Sequence, residues 1–235
     1  MPAKAAKPKM LKCSISSIEK EGNFLLIKLK PPAGRKLSFK AGQFVKVHFC
    51  LKSDRFEAIS FFSSPEDKDI LFLVNTAGPV KEEFTTKKKG DVVCVEGPFG
   101  DFHISQRPAD SVLLCKGMGI APIHSIAKTI LSNTRKEVYI LYENLVRNDI
   151  AGEKALAELA KNKSAHILFT LLNEQPMDWK GKTGMIDKQM IREVVDSPKT
   201  KEYYVCGPSA FVNRILVTLS EMGIPQKSIR SEPWG

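Results

Sequence analysis

The chain changes its hydrophobic pattern near Pro108. Up to that residue, short hydrophobic runs are separated by turns that contain glycine or proline; beyond it, hydrophobic runs alternate with stretches of helical period. Short strands at regular spacing are typical of an antiparallel barrel or sandwich, whereas alternating strands and helices predict a parallel sheet with crossover helices. The sequence therefore predicts an all-β antiparallel barrel domain followed by an α/β parallel-sheet domain.

The predicted division has three parts. Residues 1–9 form a basic flexible tail, residues 10–107 the barrel domain and residues 108–235 the α/β domain. In the barrel domain, strands are predicted within 11–22, 23–32, 39–49, 56–64, 69–78 and 90–100. In the α/β domain, strands are predicted at 111–115, 137–142, 165–172 and 202–207, and helices at 122–133, 152–163, 187–196 and 209–223.

Charge and cysteine content narrow the class of protein. The chain has 36 Lys and Arg against 26 Asp and Glu, a formal net charge of +10, which favours an anionic partner. The basic residues lie in the tail and in a turn at 87–89 without interleaved aromatic residues, so nucleic acid is not the expected partner. The five cysteines and four histidines lack metal-ligand spacing, and no hydrophobic run approaches the ~18 residues of a membrane span. We expect a cytoplasmic protein with no metal and no membrane span.

Two glycine-containing turns, called the bare turns below, follow predicted strands of the α/β domain. LLCKGMGIAP (113–122) runs from a strand through two glycines into a helix, and VCGPSAFV (205–212) does the same through Cys-Gly-Pro. Helix N-termini bind phosphate, and ligands of open α/β sheets lie beyond the carboxyl ends of the strands. A tightly packed turn also needs glycine, and a buried cysteine at such a turn is common. Two bare turns in one sheet nevertheless favour a phosphate-bearing cofactor and a nucleotide-binding domain.

Seven segments then stand in a specific order along the chain. They are AGQFVKVHF (41–49), ISFFSSPED (59–67), KKKGDVVCVEGPFGDF (87–102), CKGMGIAP (115–122), WKGKTGMI (179–186), YYVCGPSAFV (203–212) and SEPWG (231–235). In these motifs and their order, the chain resembles the ferredoxin–NADP reductase-like flavoprotein superfamily along nearly its full length.

The resemblance implies a flavin-binding barrel followed by an NAD(P)-binding domain. The implied activity is that of an NAD(P)H-dependent flavin oxidoreductase, a reductase component that transfers hydride from NADH or NADPH to flavin and then passes electrons to a carrier or small acceptor. FAD is the expected flavin, ahead of FMN. The basic surface suggests an acidic electron-carrier protein as the partner.

The resemblance also implies roles for individual residues. Ser60 takes the position of the flavin-contacting serine, and Cys206 that of the cysteine near the reactive nicotinamide carbon. Trp234 takes the position of the aromatic residue that covers the flavin, and Glu232 that of the family's C-terminal glutamate. These four are the implied catalytic residues. The implied cofactor contacts are Ile59, Ser60, Gly78, Val80, Lys81, Gly117, Met118, Gly119, Cys206, Gly207 and Pro208.

Departures from the family pattern fall on the flavin-binding positions. Glu57 replaces an arginine that neutralises the flavin phosphate, and Ile59 replaces an aromatic residue that stacks on the flavin; a register that uses Arg55 does not restore the motif. Lys81 replaces a phosphate-contacting hydroxyl residue, and we expect it to supply the lost positive charge. The alternative is a flavin-less degenerate member that acts as a nucleotide-binding or regulatory subunit.

The nucleotide-binding positions also depart from the pattern. Lys116 replaces the first glycine of the nucleotide turn, where it either attracts a phosphate or is a solvated turn lysine. After the next predicted strand, Glu143 and Leu145 stand where the family often has Gly-x-Arg, with Arg147 close by. Because an acid near the ribose disfavours a 2′-phosphate, this segment favours NADH over NADPH.

Overall fold

The first half of the chain folds into a curled antiparallel sheet. The computed structural model describes residues 9–49, 55–77 and 83–234. The strands are β1 Lys9–Glu21, β2 Phe24–Lys30, β3 Phe44–His48, β4 Glu57–Ser60, β5 Ile70–Asn75 and β6 Val92–Phe99. Their order in the sheet is β4-β3-β6-β1-β2-β5. The segment after β4 reaches β5, where the Phe62 N–H donates to the Leu71 carbonyl at 2.9 Å. The predicted barrel is therefore confirmed, with the curled sheet closing at this end.

The interior of the barrel follows from the alternation of side chains along its strands. In β3, Val45 and Val47 are fully buried in the barrel core. Lys46, between them, lies on the outer face, with its ammonium 4.4 Å from the ring centre of Phe56. Since Phe44 of β3 pairs with Ser60 of β4, the residues of β3 and β4 that do not enter the core form one outer surface.

The second half of the chain forms a parallel sheet covered by helices. Its strands are β7 Ser111–Lys116, β8 Val138–Asn144, β9 Ala165–Leu171, β10 Lys182–Thr183, β11 Glu202–Pro208 and β12 Ile229–Trp234. Its helices are α1 Ile120–Asn133, α2 Glu153–Leu159, α3 Lys188–Val194 and α4 Ser209–Glu221. The strand order is β10-β9-β8-β7-β11-β12, and β8 is buried along its whole length, as a parallel strand covered on both faces should be. The predicted fold class is confirmed. The domain limits stay predictions; the last strand of the first sheet ends at Phe99, and the first strand of the second begins at Ser111.

The two edge strands of the parallel sheet, β10 and β12, are missing from the sequence prediction. β10 has two residues, both exposed, which is too short for any periodic signal. β12 contains Pro233, which an edge strand tolerates because one side of its backbone needs no partner. β12 runs parallel to β11 and places Glu232 opposite Cys206 and Trp234 opposite Pro208. This pairing brings the last described residues to the carboxyl edge of the sheet.

The barrel and the parallel sheet share one hydrophobic core. Phe24, Phe62 and Phe102 of the barrel half cluster with Ile120 and Ile123 of α1. Burial of such side chains contributes about 1.5–3 kcal/mol each. The interface between the two halves is therefore as apolar as the interior of a domain.

Helix α1 also makes polar contacts with the segment that follows β4. The His124 Nδ1–H donates to the Phe62 carbonyl at 2.7 Å, and the Ser125 hydroxyl donates to the Ser63 carbonyl at 2.7 Å. The Lys128 ammonium lies 2.7 Å from a carboxylate oxygen of Asp67. Buried carbonyls at this interface are thus satisfied from across it, which fixes the position of α1 on the barrel.

We expect the free energy of unfolding to fall with decreasing pH because of His124. Burial lowers the pKa of this imidazole from 6.5 to about 4; Lys128 lowers it as well, while the hydrogen bond to Phe62 and the charge of Asp67 oppose the shift. The unfolded chain takes up the proton near pH 6.5, the folded chain only near pH 4. The contribution of the neutral ring to the free energy of unfolding is therefore fully present above pH 6.5. It is lost as the pH falls toward 4, by about 3 kcal/mol in total.

Urea unfolding across this pH range measures the effect. Carboxylates titrate in the same range, so the informative quantity is the difference in pH dependence between His124→Phe and the unaltered protein. The variant should have the flatter profile. Equal slopes for His124→Phe and the unaltered protein would contradict the prediction.

Candidate functional site

A cavity of about 440 Å³ lies between the barrel and the parallel sheet. This volume is in the range of small-molecule sites, about 300–1,000 Å³. Most of the lining is apolar, and the polar side chains that reach it are those of Ser60, Asn75 and Glu232. The barrel wall consists of Phe44, Ala58, Ile59, Ser60, Leu73, Val74 and Asn75, and the opposite wall of Met118, Ala121, Pro122, Cys206, Glu232, Pro233 and Trp234.

The outer surface of β3 and β4 forms the barrel wall. Ala58 is exposed and Ser60 is partly exposed on the side where Phe44 also lies. Ile59 is only 6% exposed and packs mainly into the barrel core, although it touches the cavity. Phe44 is the aromatic residue on this wall, with Phe99 5.8 Å away between ring centres. The structure therefore places Ser60 on the wall of the cavity and presents Phe44, rather than the residue at 59, as the ring of this wall.

Cys206 forms part of the opposite wall, at the end of β11. Its side chain is 1% exposed and lies beside Cys115 in register on β7. Burial raises the pKa of the Cys206 thiol well above its ordinary value, and the nearby Glu232 raises it further. The sulfur is therefore a neutral thiol at physiological pH, a compact apolar group and not a nucleophilic thiolate.

Strand β12 brings Glu232 and Trp234 to the same wall. Both are partly buried and both line the cavity, with Pro233 between them. Burial raises the pKa of the Glu232 carboxyl, and the nearby Asp101 raises it further. Glu232 thus retains its proton to a higher pH than an exposed glutamate does. The side chains of Ser60, Cys206, Glu232 and Trp234, the implied catalytic set, meet at this cavity; their roles stay predictions.

The glycine turn after β7 has the geometry of a bare ligand-binding turn. Gly117 has a φ of +55° and open space where a side chain would begin. Its carbonyl accepts a hydrogen bond from the Tyr142 hydroxyl at 2.9 Å, and Met118 reaches the cavity. Gly119 lies so close to β11 that an added Cβ would be 2.2 Å from the Cys206 carbonyl oxygen. The two bare turns predicted from the sequence are therefore in contact.

The second turn, after β11, is also closely packed. A Cβ on Gly207 would be 2.7 Å from the ring of Phe211, so a side chain there would require that ring to shift. Pro208 ends β11 immediately before α4. Together the turns leave backbone exposed at the carboxyl ends of adjacent strands, where ligands of such sheets bind.

Glu143 is the residue whose placement differs most from the sequence expectation. An acid facing the ribose is expected, but the side chain is 1% exposed and contacts Lys116 and Arg214. Lys116 forms an ion pair with Glu143, and its side chain is 23% exposed. The position of Glu143 therefore gives no reason to prefer NADH over NADPH.

Three of the predicted contacts have no described position. Gly78, Val80 and Lys81 lie outside the described residues.

Within residues 9–49, 55–77 and 83–234, no group of three or more His, Cys, Asp or Glu side chains could hold a metal ion. In the same part of the chain, no helix is both long enough and apolar enough to cross a membrane.

Several cavity residues have no counterpart among the sequence predictions. Phe44 lies within the AGQFVKVHF segment, and its alternation with the buried Val45 is the signal that places it on the outer surface. Ala121 and Pro122 lie within the CKGMGIAP turn. Leu73, Val74 and Asn75 end β5 and carry no motif; only the curl of the barrel brings them to the cavity.

Comparison with known proteins agrees with this architecture. Residues 113–216 match the family model of the oxidoreductase NAD-binding domain. The chain is 24% identical over 285 residues to one of the subunits of the Na(+)-translocating NADH-quinone reductase from Yersinia enterocolitica, with 100% of this chain and 70% of that protein covered.

Solved structures show the same two-domain fold. The CS-b5R domains of human Ncb5or (NAD+ form) superpose with a TM-score of 0.83 at 26% identity, covering 98% of this chain and 71% of that one. The flavohem-like FAD/NAD-binding domain of nitric oxide dioxygenase from Vibrio cholerae superposes with a TM-score of 0.85 at 20% identity, covering 96% and 98%.

These findings confirm the predicted class of activity, that of an NAD(P)H-dependent oxidoreductase, at the level of the family. The names of these similar proteins and of the matched domain include FAD and NAD, the cofactors that the sequence predicts. The motif order, the two-sheet fold and the matched domain agree. The resemblance to the ferredoxin–NADP reductase-like superfamily that the motifs predict is confirmed.

Proposed function

We propose that the protein transfers hydride from NADH or NADPH to FAD held in the cavity between its two sheets and passes the electrons to a carrier protein or small acceptor. The observation that carries the proposal is the cavity itself. It joins Ser60 of the barrel to Cys206 and Trp234 of the nucleotide-binding half. An oxidoreductase of this kind needs the flavin ring and the nicotinamide to meet, and this is the place where the two halves meet.

The residues that line the cavity fit a flavin ring. The walls are apolar, as the faces of an aromatic ring require, and Phe44 and Trp234 offer aromatic surface on opposite walls. Ser60 and Asn75 supply hydrogen-bonding groups for ring edges. The fit to the phosphate half of FAD depends on Gly78, Val80 and Lys81, which lie outside the described residues. A bound flavin supplies the conversion of two-electron to one-electron transfer.

The cavity residues then have distinct proposed tasks. The Ser60 hydroxyl holds the ring edge, and the neutral Cys206 thiol gives the nicotinamide a close apolar contact. Glu232, whose pKa is raised by burial and by Asp101, is a carboxyl next to the site that retains its proton to a higher pH than an exposed glutamate does. Trp234 occupies the space that a nicotinamide ring needs, so its side chain has to move before transfer.

The proposed electron acceptor is an acidic carrier protein, because the chain has a formal net charge of +10 and charge complementarity accelerates docking. The proposed location is the cytoplasm. The four described cysteines are unpaired thiols, as is usual in a reducing compartment.

Visible absorption tests the proposal directly. The purified protein is incubated with excess FAD, desalted and then mixed with NADH or NADPH without oxygen. We expect a retained flavin band that bleaches on mixing. Lys81→Ala, treated in parallel, should retain less FAD if that lysine neutralises the flavin phosphate. No flavin retained after loading would overturn the proposal and favour the alternative, a flavin-less nucleotide-binding or regulatory subunit.

A further inference from the structure

Lys116, Glu143 and Arg214 form one charge cluster at the carboxyl edge of the parallel sheet. Lys116 ends β7 and lies beside Glu143 of β8 in register. The Lys116 ammonium is 3.0 Å from Glu143 Oε1, and Arg214 Nη2 of α4 is 2.6 Å from Glu143 Oε2. Both oxygens of the carboxylate are therefore paired with cations.

The cluster is built around a buried carboxylate and retains one positive charge. Glu143 is 1% exposed, and a buried charge is tolerated only when it is paired and hydrogen-bonded. The Ile186 N–H supplies a further hydrogen bond to Oε2 at 2.9 Å. Two cations and one anion leave a net charge of +1 next to the glycine turn.

Of the two cations, Lys116 is the one available to a ligand. Arg214 is committed to the protein, because Nη1 donates to the Ile186 carbonyl at 2.6 Å while Nη2 binds Glu143. The bond from Lys116 to Glu143 uses one of the three ammonium hydrogens, and the Lys116 side chain is 23% exposed. Arg214 therefore neutralises Glu143, and Lys116 supplies the excess charge.

Both glycine turns lie beside Lys116. Gly117, the next residue, has no atom within 4 Å of a would-be Cβ. On the other side, a Cβ on Gly207 would lie 3.4 Å from the Lys116 Cβ. Lys116 thus stands between the two bare turns, and its bond to Glu143 fixes the direction of the ammonium before any ligand arrives.

We propose that Lys116 is the cation that binds the pyrophosphate of the dinucleotide. The inference rests on the proposed function, since it assigns a residue to the nucleotide half of that site. A preorganised ammonium is an effective point-charge phosphate binder, because less side-chain freedom is lost on binding. The paired anion does not cancel the attraction, since Arg214 balances it.

Calorimetric titration of the FAD-treated full chain tests this inference with two probes, ADP-ribose and adenosine. Lys116→Met should weaken ADP-ribose binding about ten-fold, the usual effect of losing one hydrogen bond to a charged group. Adenosine, which has no phosphate, should bind both forms equally. The dependence of ADP-ribose affinity on salt should also decrease in the variant, because a screened charge pair is gone.

Matched variants separate a phosphate contact from other effects. Lys161→Met removes the same charge at the opposite edge of the sheet, where Lys161 pairs with the exposed Glu158, and should change neither affinity. Lys116→Arg should retain most of the ADP-ribose affinity. If Lys116→Met fails to fold in thermal melts, Lys116→Gln, which keeps a hydrogen-bond donor for Glu143, replaces it.

The outcomes are distinguishable. Equal ADP-ribose affinity in Lys116→Met and the unaltered protein would overturn the inference and leave the proposed function standing. A parallel loss of ADP-ribose and adenosine binding would also overturn it, since the lysine would then act on the shape of the site. If the unaltered protein binds neither ADP-ribose nor NADH, the proposed function and the inference both fail.

Discussion

Gly119→Ala is expected to lower the free energy of unfolding by about 3 kcal/mol, the upper part of the range for overpacking. The added Cβ would lie 2.2 Å from the Cys206 carbonyl oxygen, 2.7 Å from its carbonyl carbon and 2.9 Å from the Trp234 ring. The first two are backbone atoms and cannot rotate away. Relief requires β11 or the turn to shift, so binding of NADH should be lost along with stability. Urea unfolding and a nucleotide titration measure the two effects.

Gly117→Ala is the control for this prediction. Its Cβ meets no atom within 4 Å, but its φ of +55° is left-handed, so the cost is about 1–2 kcal/mol of backbone strain. Gly119 has an ordinary helical φ of −56°, and its cost is therefore purely steric. If Gly119→Ala proved as stable as the unaltered protein, the result would contradict the close packing of Gly119 against the Cys206 backbone.

Glu143→Gln is expected to cost about 1–3 kcal/mol, the usual range for leaving partly buried hydrogen-bonding groups without their charged partner. The glutamine fills the same space, but it leaves the two cations of the cluster facing a neutral group. Adding Lys116→Met should restore part of the loss, because one of the uncompensated charges is then gone. A double-mutant cycle in urea gives this coupling energy.

Glu158→Gln is the matched control for Glu143→Gln. It makes the same chemical change at an exposed ion pair with Lys161, where both side chains are 72% exposed, and it should leave the unfolding midpoint unchanged. A Glu143→Gln variant as stable as this control would show that the buried carboxylate does not hold the cluster together.

The architecture is predictable from the sequence because hydrophobic periodicity reports burial directly. β8 is fully buried and has a continuous hydrophobic run, while β3 alternates Val45 and Val47 with outward residues. β12 carries no such signal, since a partly buried edge strand with an internal proline resembles a loop. Its position depends on the parallel pairing with β11, which is a tertiary contact.

The candidate site is predictable only in part. Ser60, Cys206, Glu232 and Trp234 come from three distant segments, and the motif resemblance brings them together before the structure does. The charge cluster has no comparable signal, because Glu143 is 27 residues from Lys116 and 71 from Arg214. Their meeting depends on strand register and on the rotation of α4, which local sequence does not determine.

The contacts of α1 with the barrel have a consequence for access to the cavity. A hinge motion that parted the two halves would break the bonds from His124 and Ser125 to barrel carbonyls and expose the shared core. Rotation of the Trp234 side chain, which is partly exposed on an edge strand, breaks none of these. Under the proposed function, opening therefore needs a side-chain rotation within one wall of the cavity and not a rotation of the two halves against each other.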